Sequence, residues 1–148
     1  MSVNRTVIGI DPDSTAHGVA IYREGVLAEL MALDLMGIIS LASTEESGDV
    51  SLLFSIEDVM ANQFVYARNQ HSSKAAQSKI AMHIGRCQQS QVELMRFLDS
   101  ATIPYVLHKP TKGNWAKNKD QFERLTGWAK RSNEDTRSAA YMGYLSLK

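Results

Sequence analysis

The feature that most restricts how this chain can fold is a carboxylate closing an otherwise buried run. TVIGID, residues 6–11, is β-branched and apolar, yet it ends on Asp11. Pro12-Asp13-Ser14 then turns the chain, and HGVAIYRE, from His17, begins a second strand. Glu24-Gly25 reads as a tight turn and VLAELMAL as a third strand. Three strands in succession, each turning straight into the next, predict an antiparallel meander.

Helical and extended patterns alternate beyond it. DLMGIISLASTEE spaces Leu35, Met36, Ile38, Ile39, Leu41 and Ala42 as a helix does, SGD interrupts it, and LLFSIEDV has the length of a strand. From Ser72 to about Ser100 a long helix is predicted on Ala76, Ile80, Ile84, Cys87, Val92, Leu94, Met95 and Leu98. IPYVLH is a strand introduced by Pro104, and KPTKGNWAKNK is a basic loop. DQFERLTGWAK is a short helix opened by Asp120, and NEDTRSAAYMGYLSL a last helix with Asn133 as N-cap. The order β-β-β-α-β-α-β-α-α predicts an α/β fold with a mixed five-stranded sheet and helices on both faces. With no internal repeat in 148 residues, a single domain is expected over residues 1–148.

An apolar content of 44% against 22% charged residues is that of a globular chain. No apolar run approaches the roughly 20 residues of a membrane span, and MSVNRT opens without a signal-peptide core. Cys87 is the sole cysteine, which excludes an internal disulfide and a cysteine zinc cluster and points to an intracellular site. Charge is zero overall but divided. Residues 1–65 hold 10 Asp/Glu and 2 Lys/Arg, net −8; residues 66–148 hold 6 and 14, net +8. The basic half calls for an anionic partner, unless the two halves simply complement each other within the fold or across a dimer.

Glu57 ends the fourth strand as Asp11 ends the first. If those strands are adjacent and parallel, the two carboxylates face each other, and a hard cation such as Mg2+ relieves their repulsion. The last helix adds Glu134 and Asp135 in its first turn, with Ser138 on the same face; acidic residues there also complement the helix dipole. Its alanines and glycine suit a close approach to the sheet. Other chemistries fail on spacing. A calcium loop from Asp11 would have Ala16 and Tyr22 at its glycine and glutamate positions. No phosphate-binding loop, nucleophile elbow or H-E-x-x-H occurs, and His17, His71, His83 and His108 show no metal spacing.

Asp11 in IGIDPDSTAHGVAIY, Glu57 in SIEDV and the acidic start of NEDTRSAA together resemble the RuvC-like Holliday junction resolvases of the ribonuclease H-like superfamily, in a phage-type form. The segment ANQFVYARNQHSSKAAQSKIAMHIGR, the stretch IPYVLHKPTKGNWAK and the pair KDQFERLTG and NEDTRSAA extend the likeness over nearly the whole chain. The resemblance implies a Mg2+-dependent endodeoxyribonuclease resolving Holliday junctions and other branched DNA by phosphodiester hydrolysis. Asp11, Glu57 and Asp135 would be its catalytic metal ligands. Two ions per site, with Mn2+ able to substitute, would straddle the scissile phosphate.

This chain departs from the family at two positions, with Asp13 where a glycine is usual and Ser138 where a second helix aspartate is usual. The fourth ligand is thereby left open between Glu134, Asp13 and Ser138. The resemblance also implies a homodimer on a four-way junction, in the cytoplasm of a bacterium or phage-infected cell. The long helix would supply part of the dimer contact, through residues such as Met82, Cys87 and Met95. Lys109, Lys112, Lys117 and Lys119 would hold DNA phosphates, with Lys130, Arg131 and Arg137 flanking the acidic helix. Arg68, Asn69 and Lys74 would contact DNA near the branch, and Phe64 and Tyr66 would stack on unpaired bases. Ordinary packing is the plainer role for Trp115 and Trp128. The competing readings are an endonuclease less strict about the branch, and a branched-DNA-binding protein of the same fold with weakened catalysis. An actin-like nucleotide-binding protein would need a second similar domain.

Overall fold

The computed structural model describes residues 5–46, 49–61 and 73–148. Its strands are β1 (Arg5–Asp11), β2 (His17–Arg23), β3 (Val26–Leu33), β4 (Ser51–Glu57) and β5 (Tyr105–His108). Its helices are α1 (Leu35–Glu45), α2 (Lys74–Ser100), α3 (Lys119–Thr126) and α4 (Glu134–Tyr144), with a 3-10 turn at Val59–Ala61 after β4. The sheet runs β3-β2-β1-β4-β5. The first three strands pair antiparallel, and β4 joins β1, then β5 joins β4, in parallel. The expected mixed five-stranded α/β fold is the one observed.

Local chemistry fixes the joints. Glu24 and Gly25 both take positive φ, 53° and 82°, so the β2–β3 connection is a two-residue turn whose twist matches the strands it joins. Asp34 caps α1 by accepting the Gly37 N–H at 2.9 Å. Asn133 caps α4 in a reciprocal capping box with Thr136, as its sequence predicts. The start of α3 differs from expectation. The Asn118 side chain accepts the Gln121 N–H at 3.2 Å and is the cap, while Asp120 lies in the first turn, where its charge meets the helix dipole.

Strand alternation divides the core between the two faces of the sheet. Ile8, Ile10, Val19, Ile21, Phe54 and Ile56 turn to one face and pack with Ile38 and Ala42 of α1 and Leu94 and Leu98 of α2. Val7, Ala20 and Tyr22 turn to the other and pack with Trp115, Phe122 of α3, and Ala139 and Ala140 of α4. The second layer is exceptionally close. A β-carbon on Gly9 would overlap the Ala139 carbonyl, and one on Gly18 the Asp135 carbonyl, so both positions need glycine for α4 to dock. Helix α2 buries Gln91, Leu94 and Leu98 near its C-terminal end, whereas Met82, nearer its start, is 57% exposed. Among the described residues no helix is long and apolar enough to cross a membrane.

Candidate functional site

The parallel pairing of β1 and β4 sets Ile10 opposite Ile56, and the next residues along are Asp11 and Glu57. Because Ile10 and Ile56 fill the α1–α2 side, Asp11 and Glu57 turn to the α4 side. Their carboxyl groups are close enough for each charge to act on the other. Ser138, buried on α4, donates its hydroxyl to Glu57 Oε2 at 3.2 Å and also lies within hydrogen-bond reach of Asp11. Asn114 Nδ2 donates to Ser138 Oγ at 2.8 Å, tying the loop before α3 into the same group.

The electrostatics follow from this crowding. Burial, and then the charges of Glu57 and Asp135, raise the Asp11 carboxyl to about 8, with Ser138 opposing the shift. Burial also raises Glu57, against the hydrogen bonds from Ser138 and Asp11. Asp135 is exposed and raised by partial burial and by the charges of Asp13 and Glu134. Its charge acts on Asp11, but the carboxyl groups of Asp11, Glu57 and Asp135 do not all fall within 4.8 Å of one another; Glu134 is exposed beside it. Among the described residues no lysine or arginine forms an ion pair with Asp11, Glu57 or Asp135. Negative charge without a cationic partner, presented by hard oxygen donors, fits a divalent ion of the Mg2+ kind.

The basic loop between β5 and α3 leads out from this group. Lys109, Lys112, Lys117 and Lys119 are all exposed, as is Lys74 at the start of α2. Trp115 anchors the loop. It is 1% exposed and packs on Phe122, Tyr141 and Tyr144, with ring centroids 5.9, 5.3 and 4.9 Å away. Packing is therefore its role. Arg137 is likewise committed, since Nε and Nη2 donate to the Ala116 carbonyl at 3.0 and 2.9 Å and Nη1 donates to Ser132. It fastens the loop to α4 rather than facing outward for phosphate. Lys130 lies 5.6 Å from the centre of the half-buried Trp128 ring. Arg68, Asn69, Phe64, Tyr66 and His71 lie outside the described residues.

Sequence reasoning missed Asn114, which has no motif to mark it, and a second cluster where the β1–β2 turn meets α2. Cys87 Sγ lies 3.8 Å from Asp13 Oδ1 and 3.6 Å from His83 Nε2. Among the described residues this is the trio whose possible ligand atoms all fall within 4.8 Å of one another. The four-residue spacing of His83 and Cys87 on one helix face was its visible signal. His17, 3% exposed, accepts the Asp13 N–H on Nδ1 at 3.2 Å and so holds the turn from which Asp13 projects. Burial lowers the His17 pKa.

An antiparallel three-stranded meander extended by two parallel strands, with helices on both faces, defines a ribonuclease H-like fold. Among solved structures, the chain is similar to Thermus thermophilus RuvC in complex with a Holliday junction substrate. The TM-score is 0.58 at 13% identity, over 94% of this chain and 90% of that one. A second T. thermophilus RuvC structure gives 0.58 at 12% identity, over 94% and 91%. No family model and no curated protein matches the sequence. What the chain shares with these RuvC structures is the fold.

Proposed function

We propose that this chain is a divalent-metal-dependent, structure-selective endonuclease that hydrolyses phosphodiester bonds in four-way junctions and other branched DNA. On this reading residues 1–148 act as one RuvC-like domain of phage type, working as a homodimer in the cytoplasm of a bacterium or an infected host. The observation that carries it is the placing of Asp11 and Glu57 at the ends of paired parallel strands, close enough to interact by charge and without a cationic partner among the described residues. Likeness in fold to a protein solved on a Holliday junction supports the choice of DNA.

Asp11, Glu57 and Asp135 would hold Mg2+ or Mn2+, two ions per site, with the Ser138 hydroxyl as a neutral fourth donor and Glu134 at the outer edge. Mg2+ bound there supplies neutralising charge to the phosphate and acidifies the attacking water. The chain's own part is to orient. Asn114 holds Ser138 against Glu57, and Arg137 holds the loop that carries Lys109, Lys112 and Lys117 and leads to Lys119 at the start of α3. Those lysines, with Lys74, Arg68 and Asn69, would draw the DNA backbone towards the carboxylates. A two-fold dimer matches the two cuts that a four-way junction needs, and the exposed early part of α2 around Met82 offers an apolar contact for it.

The test is incubation of a synthetic four-way junction with the protein, with and without Mg2+. Wild type should cut only with metal, and Glu57→Gln should bind the junction but cut at least about a hundredfold more slowly. Equal cutting by the variant would remove Glu57 from the chemistry. A second reading rests on Ser138, a neutral group that binds metal more weakly than a carboxylate. It expects junction binding without cleavage in either Mg2+ or Mn2+. A flap and a three-way branch in the same assay measure how strict the branch preference is.

A further inference from the structure

We propose that Asp13, His83 and Cys87 form a binding site for a single soft divalent ion of the zinc class, with a donor set distinct from the oxygens of neighbouring Asp11 and Glu57. Three donor types converge there from two elements: a carboxylate from the β1–β2 turn, and an imidazole and a thiol from one face of α2. Two of the separations approach what the chemistry requires. Donors bound tetrahedrally to zinc at ordinary N, O and S bond lengths stand about 3.3–3.8 Å apart. Here the thiol lies 3.6 Å from His83 Nε2 and 3.8 Å from Asp13 Oδ1. Mg2+ avoids nitrogen and sulfur donors, whereas Zn2+ and Co2+ favour them, so the two clusters would sort metals by softness.

The surroundings are those a ligand set needs. The carboxylate is held in place by Ser14, whose backbone N–H donates to Asp13 Oδ1 at 2.6 Å and whose hydroxyl lies 3.4 Å from the same oxygen. His83 is exposed, and Asp13 lines an open cleft of about 390 Å3. On ligation the thiol proton leaves to solvent and the sulfur takes its place on the ion. The fourth position belongs to water. An ion held this way staples the β1–β2 turn to α2, two residues beyond Asp11.

The test uses the full chain, stripped with chelator and titrated with Co2+, and its readout does not depend on DNA cleavage. Wild type should bind one Co2+ per chain, with the near-ultraviolet thiolate-to-cobalt absorption and the visible bands of a four-coordinate ion, and Zn2+ should displace it. Cys87→Ser should lose the thiolate band, and His83→Ala should bind at least about tenfold more weakly. Asp11→Asn and Glu57→Gln should leave the spectrum unchanged. Absence of the thiolate band in wild type, its persistence in Cys87→Ser, or its loss in Asp11→Asn would each overturn the proposal.

Discussion

Asp11 is the residue at which folding and the proposed function pull against each other. Its ordinary pKa is about 4, and burial beside Glu57 and Asp135 lifts it to about 8. A carboxyl raised in the folded state stabilises that state while protonated. Its contribution is whole below about pH 4 and is lost as pH climbs towards 8. Without divalent metal, wild type should therefore lose stability between about pH 5 and pH 8. Asp11→Asn, neutral throughout, should show a shallower slope and be more stable than wild type at about pH 8 by on the order of 2 kcal/mol. Urea unfolding in chelator at the two pH values measures this, and a variant less stable than wild type at the higher pH would contradict it. Added Mg2+ should recover more stability for wild type than for the variant, because only wild type presents the charge.

Among the elements, α4 depends most on what the sheet leaves out. Gly9 and Gly18 let its backbone rest against β1 and β2, and the alanines and Gly143 on its inner face complete the fit. Gly9→Ala sets a methyl group into the Ala139 carbonyl, so the helix must move away. That should cost about 3 kcal/mol and separate Ser138 from Glu57, and a thermal scan together with metal binding reads both effects. Much of this is legible in the sequence. The meander, the alternation after it, the Asn133 cap and the small face of α4 follow from local patterns. So does the placing of Asp11 and Glu57 at the ends of neighbouring strands, once β1 and β4 are taken as parallel neighbours. The cap of α3 is ambiguous because Asn118 and Asp120 are both good caps and only the fold chooses between them. The Asp13–His83–Cys87 cluster is hidden because it joins a turn to a distant helix, and only one of its three spacings is local.

For the whole molecule, the divided charge becomes an arrangement in space. Asp11 and Glu57 stand where β1 and β4 end, while Lys109, Lys112 and Lys117 are exposed on a loop that Asn114, Trp115 and Arg137 fasten beside them, and Lys119 is exposed at the start of α3. Among the described residues those lysines form no ion pair, unlike Arg23 with Glu29 and Glu45 or Arg96 with Glu93. Free cations on an anchored loop suit a polyanion, since each phosphate they neutralise releases counterions. Affinity for a four-way junction should therefore fall steeply with salt. Alanine at Lys109, Lys112, Lys117 or Lys119 should reduce the slope of log K against log salt by up to about 0.9 for each phosphate left without its lysine. Arg137→Ala should act differently. Its guanidinium already serves the Ala116 carbonyl, so its removal frees the loop and weakens binding through disorder more than through the salt slope. Titrations at several salt concentrations separate the two behaviours. Four lysine variants with wild-type slopes would mean that the loop is merely solvated and that the DNA approaches from elsewhere.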